Sequence, residues 1–444
     1  MKQIKIFAGH LMLLLALSHC NSQSQQKENE ASGNTSRKEE LATQTVSMPK
    51  PYETKSVKNF SKVLGWSGNQ KPTAPQGFTV TKFATDLINP RWVYAAPNGD
   101  IFVAEANTES EGVKKIADVA TGKAKSQRLG ASANRITLFR DTNKDGKPDV
   151  RHVFLTDLNQ PFGMLVLGNF FYVANTDGLW RYPYQEGQTQ MKARGEKIAS
   201  LPAGGYNNHW TRNVIANFEG SKIYVSVGSG SNVAEHGMDN EKRRANILEM
   251  NPDGTQERIY ASGLRNPVGM DWVPGTNTLW TTVNERDELG DELVPDYMTS
   301  VKEGGFYGWP YAYFGHNEDP RLKGENPELV QKTIVPDVAL GSHTASLGLT
   351  FYDKKAFPAK YQNGAFIGQH GSWNRSELSG YKVVFVPFKN GKPAGQPEDF
   401  LTGFVADQDQ SRVYGRPVGV EVLADGSLLV ADDAANTLWR VSAQ

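Results

Sequence analysis

A short β-hairpin pattern recurs six times along this chain. Each copy begins with a polar loop and continues with a small apolar strand, a turn of Gly, Asn or Asp, and a strongly apolar strand. The copies lie at residues 89–104, 160–175, 209–226, 265–281, 346–368 and 416–431. Hairpins repeated in this way within β-rich sequence predict an all-β fold, a six-bladed β-propeller with long insertions in some blades. A pair of β-sandwiches is the alternative, and it accounts less well for six matching hairpins.

The composition agrees with an all-β chain and excludes one class of partner. The 444 residues include 43 Gly, 23 Pro and 10% aromatic residues, and they show few long helical periodicities. The 48 basic and 48 acidic side chains balance to a net charge of zero. Nucleic-acid binding needs a basic surface, so no nucleic-acid partner is expected.

Residues 1–20 have the features of a targeting segment. A basic start is followed by an apolar run at 7–17 that is too short to span a bilayer. The chain's single cysteine, Cys20, stands where a bacterial lipoprotein signal has its lipidated cysteine, although His19 replaces the usual small residue. An ordinary secretory peptide with an incidental cysteine is the alternative. Both predict an exported protein without disulfides, and the first predicts a periplasmic or cell-surface lipoprotein that touches the membrane through its lipid anchor only.

The next segment, residues 21–74, is predicted to be a tether followed by an N-terminal extension. Gln, Ser, Asn, Glu and Lys dominate it as far as residue 50, and such a sequence cannot bury enough apolar surface to order itself. From residue 51 onward Phe60, Leu64 and Trp66 are candidates for packing on the main domain. That domain is predicted to be the propeller, residues 75–444.

An unusual polar residue stands just before, or at the start of, the first strand of every hairpin copy. These residues are Arg91, Gln160, His209, Arg265, His343 and Arg416. Equivalent loops of a propeller surround one end of its central channel, so the six side chains are expected to converge on one pocket.

Histidine and arginine carry most of the predicted chemistry of this pocket. His209 lies at a loop–strand junction, where it suits a general base near neutral pH, and a buried histidine that satisfies backbone groups is the alternative. Arg265, Arg412 and Arg416 are either surface charges and ion-pair struts or cations for a ligand with several carboxylates.

Two acidic loops are candidate calcium sites. The loop 285–292 offers carboxylates and carbonyls, and a solvated turn explains it equally well. The loop 141–149 matches positions 1, 3, 5 and 9 of an EF-hand, but His152 stands at position 12 and both flanks read as strands. It is therefore interpreted as a hairpin turn with a weak structural calcium site. Motifs for covalent haem, a nucleophile elbow or a dinucleotide fold do not occur in the sequence.

Five motifs together carry a family resemblance. They are Asn208-His209-Trp210-Thr211-Arg212-Asn213, Gly263-Leu264-Arg265-Asn266-Pro267, Asn284-Glu285-Arg286-Asp287, Gly304-Gly305-Phe306-Tyr307-Gly308-Trp309-Pro310 and Gly368-Gln369-His370-Gly371-Ser372-Trp373-Asn374-Arg375. Residues 75–441 resemble the soluble quinoprotein sugar dehydrogenases, the glucose/sorbosone dehydrogenase family, and most of all its sorbosone dehydrogenase branch. The resemblance implies a six-bladed propeller that binds pyrroloquinoline quinone (PQQ) and Ca²⁺ in the channel mouth.

The resemblance also implies roles for single residues. His209 matches the histidine that removes the substrate hydroxyl proton. The implied contacts of the quinone are Arg265, Asn266, His343, Arg375, Arg412 and Arg416, of which Arg416 pairs with a cofactor carboxylate and Arg375 replaces a lysine of the glucose enzymes. Gln160 and Trp210 are expected to contact the substrate. The main-chain carbonyls of Arg286 and Asp287 are the implied calcium ligands, at two positions where the glucose dehydrogenases carry Gly-Pro.

The implied function is a PQQ- and calcium-dependent dehydrogenase that oxidises an aldose or sorbosone-type sugar. His209 accepts the hydroxyl proton while hydride moves to the quinone. No haem module is present in the sequence, so electrons pass to an external acceptor, a quinone or a cytochrome. Two other readings stay open: a Ca²⁺-dependent propeller lactonase, which needs carboxylates and asparagines in place of the arginines, and a non-catalytic propeller that binds a glycan or protein.

Overall fold

The structure is a computed structural model that describes residues 46–109, 126 and 132–444. Cys20 and the tether as far as residue 45 lie outside the described residues. Within the described part, the regular structure is almost entirely strand, with one short α-helix, α1 (Pro327–Lys332), and three 3-10 helices of three or four residues. Helices long and apolar enough to cross a bilayer do not occur among these residues. The predicted all-β class is confirmed.

The strands follow one another closely along the chain. In order they are β1 (Lys62–Val63), β2 (Phe78–Ala84), β3 (Pro90–Ala95), β4 (Ile101–Glu105), β5 (Arg135–Arg140), β6 (Val150–Leu155), β7 (Met164–Leu167), β8 (Phe170–Asn175), β9 (Gly178–Pro183), β10 (Glu196–Ser200), β11 (Val214–Ala216), β12 (Ile223–Val227), β13 (Asn246–Met250), β14 (Arg258–Ser262), β15 (Pro267–Trp272), β16 (Leu279–Val283), β17 (Pro295–Ser300), β18 (Ala312–Tyr313), β19 (Asn317–Glu318), β20 (Val338–Ser342), β21 (Ser346–Tyr352), β22 (Gly364–Gln369), β23 (Lys382–Lys389), β24 (Lys392–Pro393), β25 (Glu398–Leu401), β26 (Val405–Asp407), β27 (Arg412–Val413), β28 (Pro417–Val422), β29 (Leu428–Asp432) and β30 (Thr437–Ala443).

Most strands of the described residues belong to antiparallel sheets of four or five strands. The sheets are β3-β4-β5-β6, β7-β8-β9-β10, β11-β12-β13-β14, β15-β16-β17-β20, β21-β22-β23 with β24 and β25, and β28-β29-β30-β2. The first two strands of each sheet form a hairpin that coincides with one of the six hairpins predicted from sequence.

Neighbouring sheets pack through their first strands. β28 contacts β3 on one side and β21 on the other, β15 contacts β21 and β11, and β11 contacts β7. Glycine makes this approach possible, because a Cβ on Gly269 would lie 2.6 Å from the carbonyl oxygen of Leu347. A Cβ on Gly419 would likewise lie 2.9 Å from the carbonyl oxygen of Arg91. The glycine that recurs in the predicted hairpins therefore sits at the contact between inner strands.

Side chains on the inner strands also bind the backbone of the next sheet. Glu421 on β28 accepts a hydrogen bond from the Ala95 backbone N–H at 3.0 Å. Asp271 on β15 accepts one from the Phe351 backbone N–H at 2.6 Å. Burial, opposed by these hydrogen bonds, raises the pKa of Glu421 to about 8 and the pKa of Asp271 to about 7. Both groups therefore keep a proton to a higher pH in the folded chain than in the unfolded chain.

The first and last parts of the propeller sequence share one sheet. β2 pairs antiparallel with β30, with Phe78 opposite Ala443 and Val80 opposite Val441. Phe78, Val80 and Val441 are buried in one apolar cluster together with Trp439. This pairing holds the two ends of the sequence together.

The N-terminal extension packs on the sheets. β1 pairs in parallel with β27, and the Trp66 indole N–H donates to Asp432 at 2.7 Å. Phe60 stacks on Trp373, whereas Leu64 is 47% exposed. Of the three apolar residues considered from sequence, Phe60 and Trp66 have packing partners.

The two inner-strand carboxyls predict how stability changes with pH. Since the folded chain binds more protons than the unfolded chain between the unfolded pKa near 4 and the raised values, the free energy of unfolding should fall as pH rises through this window. Glu421→Gln keeps an acceptor oxygen and removes the ionisation, so it should reduce this loss between pH 5 and pH 8. Denaturant unfolding at several pH values measures the free energy of unfolding of the parent, of Glu421→Gln, of Asp271→Asn and of the double variant. An unchanged pH slope in the double variant would contradict the assignment.

Candidate active site

One cavity of about 670 Å³ opens among the loops that precede the inner strands. Five of the six residues predicted to converge line it, namely Arg91, Gln160, His209, Arg265 and His343. Gln160 and His343 have left-handed backbone φ values of 46° and 59°. Such conformations cost energy for residues other than glycine, and they cluster at functional sites. Trp210 and Asn266, also predicted from sequence, line the same cavity.

The His209 ring is held in one tautomer. Its Nδ1 lies 2.8 Å from the carbonyl oxygen and 3.0 Å from the hydroxyl oxygen of Ser229. The Ser229 hydroxyl donates to the carbonyl of Ser231 at 2.7 Å, so both Ser229 oxygens face Nδ1 as acceptors. Nδ1 therefore carries the proton, and Nε2 carries the lone pair, for which the described residues provide no hydrogen-bond donor.

The surroundings keep His209 uncharged. Burial and, after it, the positive charge of Arg265 lower the pKa of His209 to about 3. The turn that carries the ring is fixed by Arg212, which is fully buried and donates to the carbonyl of His209 at 2.7 Å and to the side chain of Asn207 at 3.0 Å. A neutral imidazole on a rigid turn can accept a proton through Nε2.

Arg265 shares a buried ion-pair group with Asp287 and His343. Its Nη2 lies 3.3 Å from Asp287 Oδ2, and its Nη1 donates to the carbonyls of Asn284 and Glu285 at 3.1 and 2.6 Å. His343 has Nδ1 3.4 Å from Asp287 Oδ1 and donates from Nε2 to a backbone carbonyl. Burial opposes the charged imidazole, but Asp287 outweighs it and raises the pKa of His343.

A second acidic group, Asp433, lies behind the cavity wall and was not predicted from sequence. It accepts hydrogen bonds from Arg91 Nη1 at 2.5 Å and from His370 Nε2 at 2.8 Å. Burial acts against its ionisation, but His370 and Arg91 together lower the pKa of Asp433. Arg91 also lies over the Trp210 ring at 5.4 Å, and its Nε has no hydrogen-bond partner among the described residues. β29 is an apolar run that ends at Asp432, and the position of Asp433 directly after this strand was the available signal in the sequence.

Three arginines expected to contact the cofactor do not line the cavity. Arg416 is fully buried beneath it and donates to the carbonyls of His370 and Gly371, both at 3.0 Å. Its loop is drawn inward because the Arg416 backbone N–H donates to Asp432 at 2.7 Å. The expectation of a pairing between Arg416 and a cofactor carboxylate is therefore not met.

The other two arginines form ion pairs elsewhere. Arg375 pairs with Glu292 at 2.5 Å, and Arg412 pairs with Asp407 at 3.3 Å. Neither Arg375 nor Arg412 lines the cavity. Their predicted contacts with the quinone do not agree with these positions.

The predicted calcium loop uses its oxygens for hydrogen bonds. The carbonyl of Asp287 accepts from Asn232 Nδ2 at 3.2 Å and from Arg321 Nη1 at 3.1 Å. Arg286 is fully buried, and its side chain pairs with Glu285 at 2.9 Å and Asp319 at 3.1 Å. One of the two implied calcium ligands, the Asp287 carbonyl, is thus already occupied by two donors, and one of these is a cation that would repel Ca²⁺.

The second predicted calcium loop, at 141–149, is closed by its own backbone. The Asp141 carboxylate accepts from the backbone N–H of Gly146 at 2.7 Å and of Asp145 at 3.2 Å. Clusters of three or more His, Cys, Asp or Glu side chains that could hold a metal do not occur in the described ranges.

Comparisons with known proteins agree with the fold and identify the family. The sequence matches the TrAA12-like family over residues 72–304 and 319–444. The chain belongs to the TrAA12-like family. This membership confirms the predicted resemblance to the soluble PQQ-dependent sugar dehydrogenases.

Two curated relatives have names that state an enzyme activity. The chain is 28% identical over 260 residues to the aldose sugar dehydrogenase YliI of Escherichia coli, an alignment that covers 54% of this chain and 62% of that protein. It is 21% identical over 346 residues to the pyrroloquinoline quinone-dependent pyranose dehydrogenase of Coprinopsis cinerea, covering 64% and 46%. The chain thus spans less than two thirds of either relative.

Among solved structures, the holo form of the pyranose dehydrogenase PQQ domain from Coprinopsis cinerea superposes with a TM-score of 0.67. The two sequences are 19% identical, and the superposition covers 86% of this chain and all of that domain. The likeness supports a propeller fold for this member of the TrAA12-like family.

The hydrogen bonds of His209 predict its protonation state in solution. The imidazole should stay neutral, with the proton on Nδ1, from pH 5 to pH 8, because its pKa is about 3. Nitrogen-15 NMR of histidine-labelled protein distinguishes the two ring nitrogens, and the spectrum of His209→Ala assigns the signal. A signal that titrates between pH 5 and pH 8, or a proton on Nε2, would contradict the deduced tautomer.

Proposed function

We propose that this protein is a PQQ-dependent dehydrogenase that oxidises a hydroxyl group of an aldose or sorbosone-type sugar. The observation that carries the proposal is the free Nε2 of a neutral His209 in a cavity large enough for a cofactor and a small substrate. The names of two relatives, an aldose sugar dehydrogenase and a PQQ-dependent pyranose dehydrogenase, support the same chemistry.

The cavity wall fits a planar, polyanionic quinone. Arg91 is 9% exposed, and its Nε is without a partner among the described residues, so it can donate to a carboxylate. Asn266 is 5% exposed, and its side-chain oxygen is also unpartnered within the described part of the chain. Buried polar atoms are costly when unpaired, and a ligand bound in the cavity can pair with both once the Arg91 and Asn266 side chains turn toward it. Arg91, Asn266 and, through its charge, Arg265 are the residues that would hold the cofactor.

The proposed mechanism assigns the proton to His209. When bound, PQQ would supply the acceptor for the hydride, which carries the two electrons of the oxidation. His209 Nε2 accepts the proton of the substrate hydroxyl, and the imidazolium formed is stabilised by the Ser229 carbonyl that accepts from Nδ1. Arg212 and Ser229 keep the ring in place, and Trp210 and Gln160 orient the sugar from the cavity wall.

Calcium is not used in this mechanism. The carbonyls of Asn284, Glu285 and Asp287 already accept hydrogen bonds from Arg265, Asn232 or Arg321. Arg265 stands where it stabilises negative charge on the ligand without a metal.

Three further features belong to the proposal. The six large sheets are the six blades of one propeller, which their successive packing supports. The electrons leave to an external quinone or cytochrome. The protein is exported and held at a bacterial membrane by a lipid on Cys20, as the residues before that cysteine suggest.

The rival functions lack their required features in the described residues. A calcium-dependent lactonase needs converging carboxylates free to hold a metal, and no such cluster occurs within the described ranges. A pure binding propeller leaves the fixed tautomer of His209 and the unpaired Arg91 Nε without a role. The dehydrogenase accounts for both.

Replacing His209, the proposed base, should slow turnover strongly without weakening the binding of PQQ. His209→Ala is expected to lower kcat by roughly 10²- to 10⁴-fold, the usual contribution of general base catalysis. Ser229→Ala is the matched control, because it keeps the backbone carbonyl that fixes the tautomer. Sugar-dependent dye reduction with added PQQ, with and without Ca²⁺, measures the rate, and an absorbance titration measures PQQ affinity. Full activity in His209→Ala would refute the role, and an inactive parent protein across a sugar panel would refute the function.

Cofactor affinity should depend on Arg91 and not on Arg375. Loss of a charged hydrogen bond costs about 1.5–3 kcal/mol, so Arg91→Gln should raise the Kd for PQQ roughly 10- to 100-fold. Arg375→Gln removes an ion pair of similar kind outside the cavity and should leave the Kd unchanged. Absorbance titration of both variants compares them, after circular dichroism has shown that each is folded. Equal affinity in Arg91→Gln and the parent would contradict the assignment.

A further inference from the structure

Residues 52–64, here named the strap, run across the rim of the cavity before the propeller sequence begins. The match to the TrAA12-like family starts at residue 72, so the strap lies outside it. Lys58 and Phe60 of the strap nevertheless line the cavity together with Trp373. The cavity wall therefore includes a part of this chain that the family match does not cover.

The strap is bound to the loop 288–291, which follows Asp287. The Asp291 backbone N–H donates to the Thr54 hydroxyl at 2.8 Å, and the Gly290 backbone N–H donates to the Ser56 hydroxyl at 3.1 Å. Gly290 has a φ of 117°, and a Cβ there would lie 2.8 Å from the Thr54 hydroxyl oxygen. The loop accommodates the strap because this position is glycine.

The strap is also bound to the loop that follows His370. The Asn59 backbone N–H donates to the carbonyl of Trp373 at 2.7 Å, and the Asn59 side chain donates to the carbonyl of Ser376 at 2.9 Å. In return, the Asn374 side chain donates to the carbonyl of Val57 at 3.3 Å. The strap thus connects two loops that each contribute side chains to the cavity.

Two aromatic rings meet where the strap reaches the cavity. Phe60 and Trp373 stack with centroids 5.6 Å apart and an interplanar angle of 8°. Both rings line the cavity, although burying them in the core would have removed more apolar surface from water. A flat aromatic wall beside polar groups suits a ligand with one apolar face and several hydroxyls.

We propose that the strap forms the outer wall of the substrate subsite and that Phe60 and Trp373 pack against the apolar C–H face of the sugar ring. This inference rests on the proposed function and names the chemistry that its substrate must have, a cyclic sugar with an accessible apolar face. Bonds at Asn59 on one side and at Thr54 and Ser56 on the other make the wall preformed. The strap therefore selects substrate and leaves the proton transfer at His209 unaffected.

The test compares Phe60→Ala with Leu64→Ala in the full chain. Leu64 is a matched control, since it belongs to the strap, is 47% exposed and does not line the cavity. Phe60→Ala should raise the KM for sugar about tenfold, the effect of removing a well-packed aromatic contact, with kcat and the Kd for PQQ within about twofold of the parent. Phe60→Tyr keeps the ring and should retain the parent KM. Phe60→Leu removes the ring but keeps apolar volume, so it should also raise the KM and replaces Phe60→Ala if that variant does not fold.

Tryptophan fluorescence titrated with a panel of aldoses gives a second measurement that does not need turnover. If the parent turns over sugar and Phe60→Ala, or Phe60→Leu in its place, keeps the parent KM, the strap proposal is overturned while the proposed function stands. If the parent turns over no sugar, the proposed function fails, and the fluorescence titration then tests the strap proposal. Sugar binding weakened in Phe60→Ala but not in Leu64→Ala then supports the wall, whereas equal binding, or no sugar binding in the parent, overturns it.

Discussion

The close contact between neighbouring inner strands is the constraint on which the rest of the structure depends. At Gly269 and Gly419 the adjacent backbone occupies the space that a Cβ would need. Because the strands approach so closely, the loops that precede them are brought side by side at one end. Arg91, Gln160, His209, Arg265 and His343 therefore line one cavity although up to 252 positions separate them, from 91 to 343. Glycine in the strands is thus a condition for chemistry in the loops.

Buried arginines do most of the positioning in this site. Arg212 holds the turn of His209, Arg286 holds the loop before Asp287, and Arg416 holds the loop of His370. In each case the guanidinium donates to main-chain carbonyls, which fixes a loop that lacks regular hydrogen bonding. An arginine used in this way has few donors left for a ligand. The number of arginines near the channel consequently overstates the positive charge that a ligand meets.

The sequence predicted the hairpins well and the individual arginines poorly, and the two outcomes have different causes. The hairpins depend on local alternation and turn residues, so all six were located within a few residues of the observed strands. Whether an arginine faces the cavity depends on distant partners. Arg416 turns inward because its backbone binds Asp432, and a Cβ on the preceding Gly415 would collide with the same carboxylate. Arg91 belongs to the corresponding hairpin of another copy but follows Pro90, whereas Arg416 precedes Pro417, and Arg91 lines the cavity.

The packing of the N-terminal extension also depends on residues that are distant in the sequence. Phe60 and Trp66 are isolated apolar residues in a polar stretch, and no periodicity indicates where they pack. Their partners, Trp373 and Asp432, are more than 300 positions away, at 373 and 432. The domain boundary expected at residue 75 therefore separates segments that touch in the folded chain, and the cavity belongs to both.

The pairing of charges inside the cavity decides where an anionic ligand gains affinity. Arg265 is balanced by Asp287 and its N–H groups are occupied, so a carboxylate brought to it must displace existing bonds and gains little. Arg91 is balanced by Asp433, but within the described part of the chain its Nε and the side-chain oxygen of Asn266 have no hydrogen-bond partner. Binding at these two residues displaces fewer existing hydrogen bonds than binding at Arg265. Affinity for the ligand is therefore concentrated at Arg91 and Asn266, while Arg265 contributes through its charge and keeps His209 neutral.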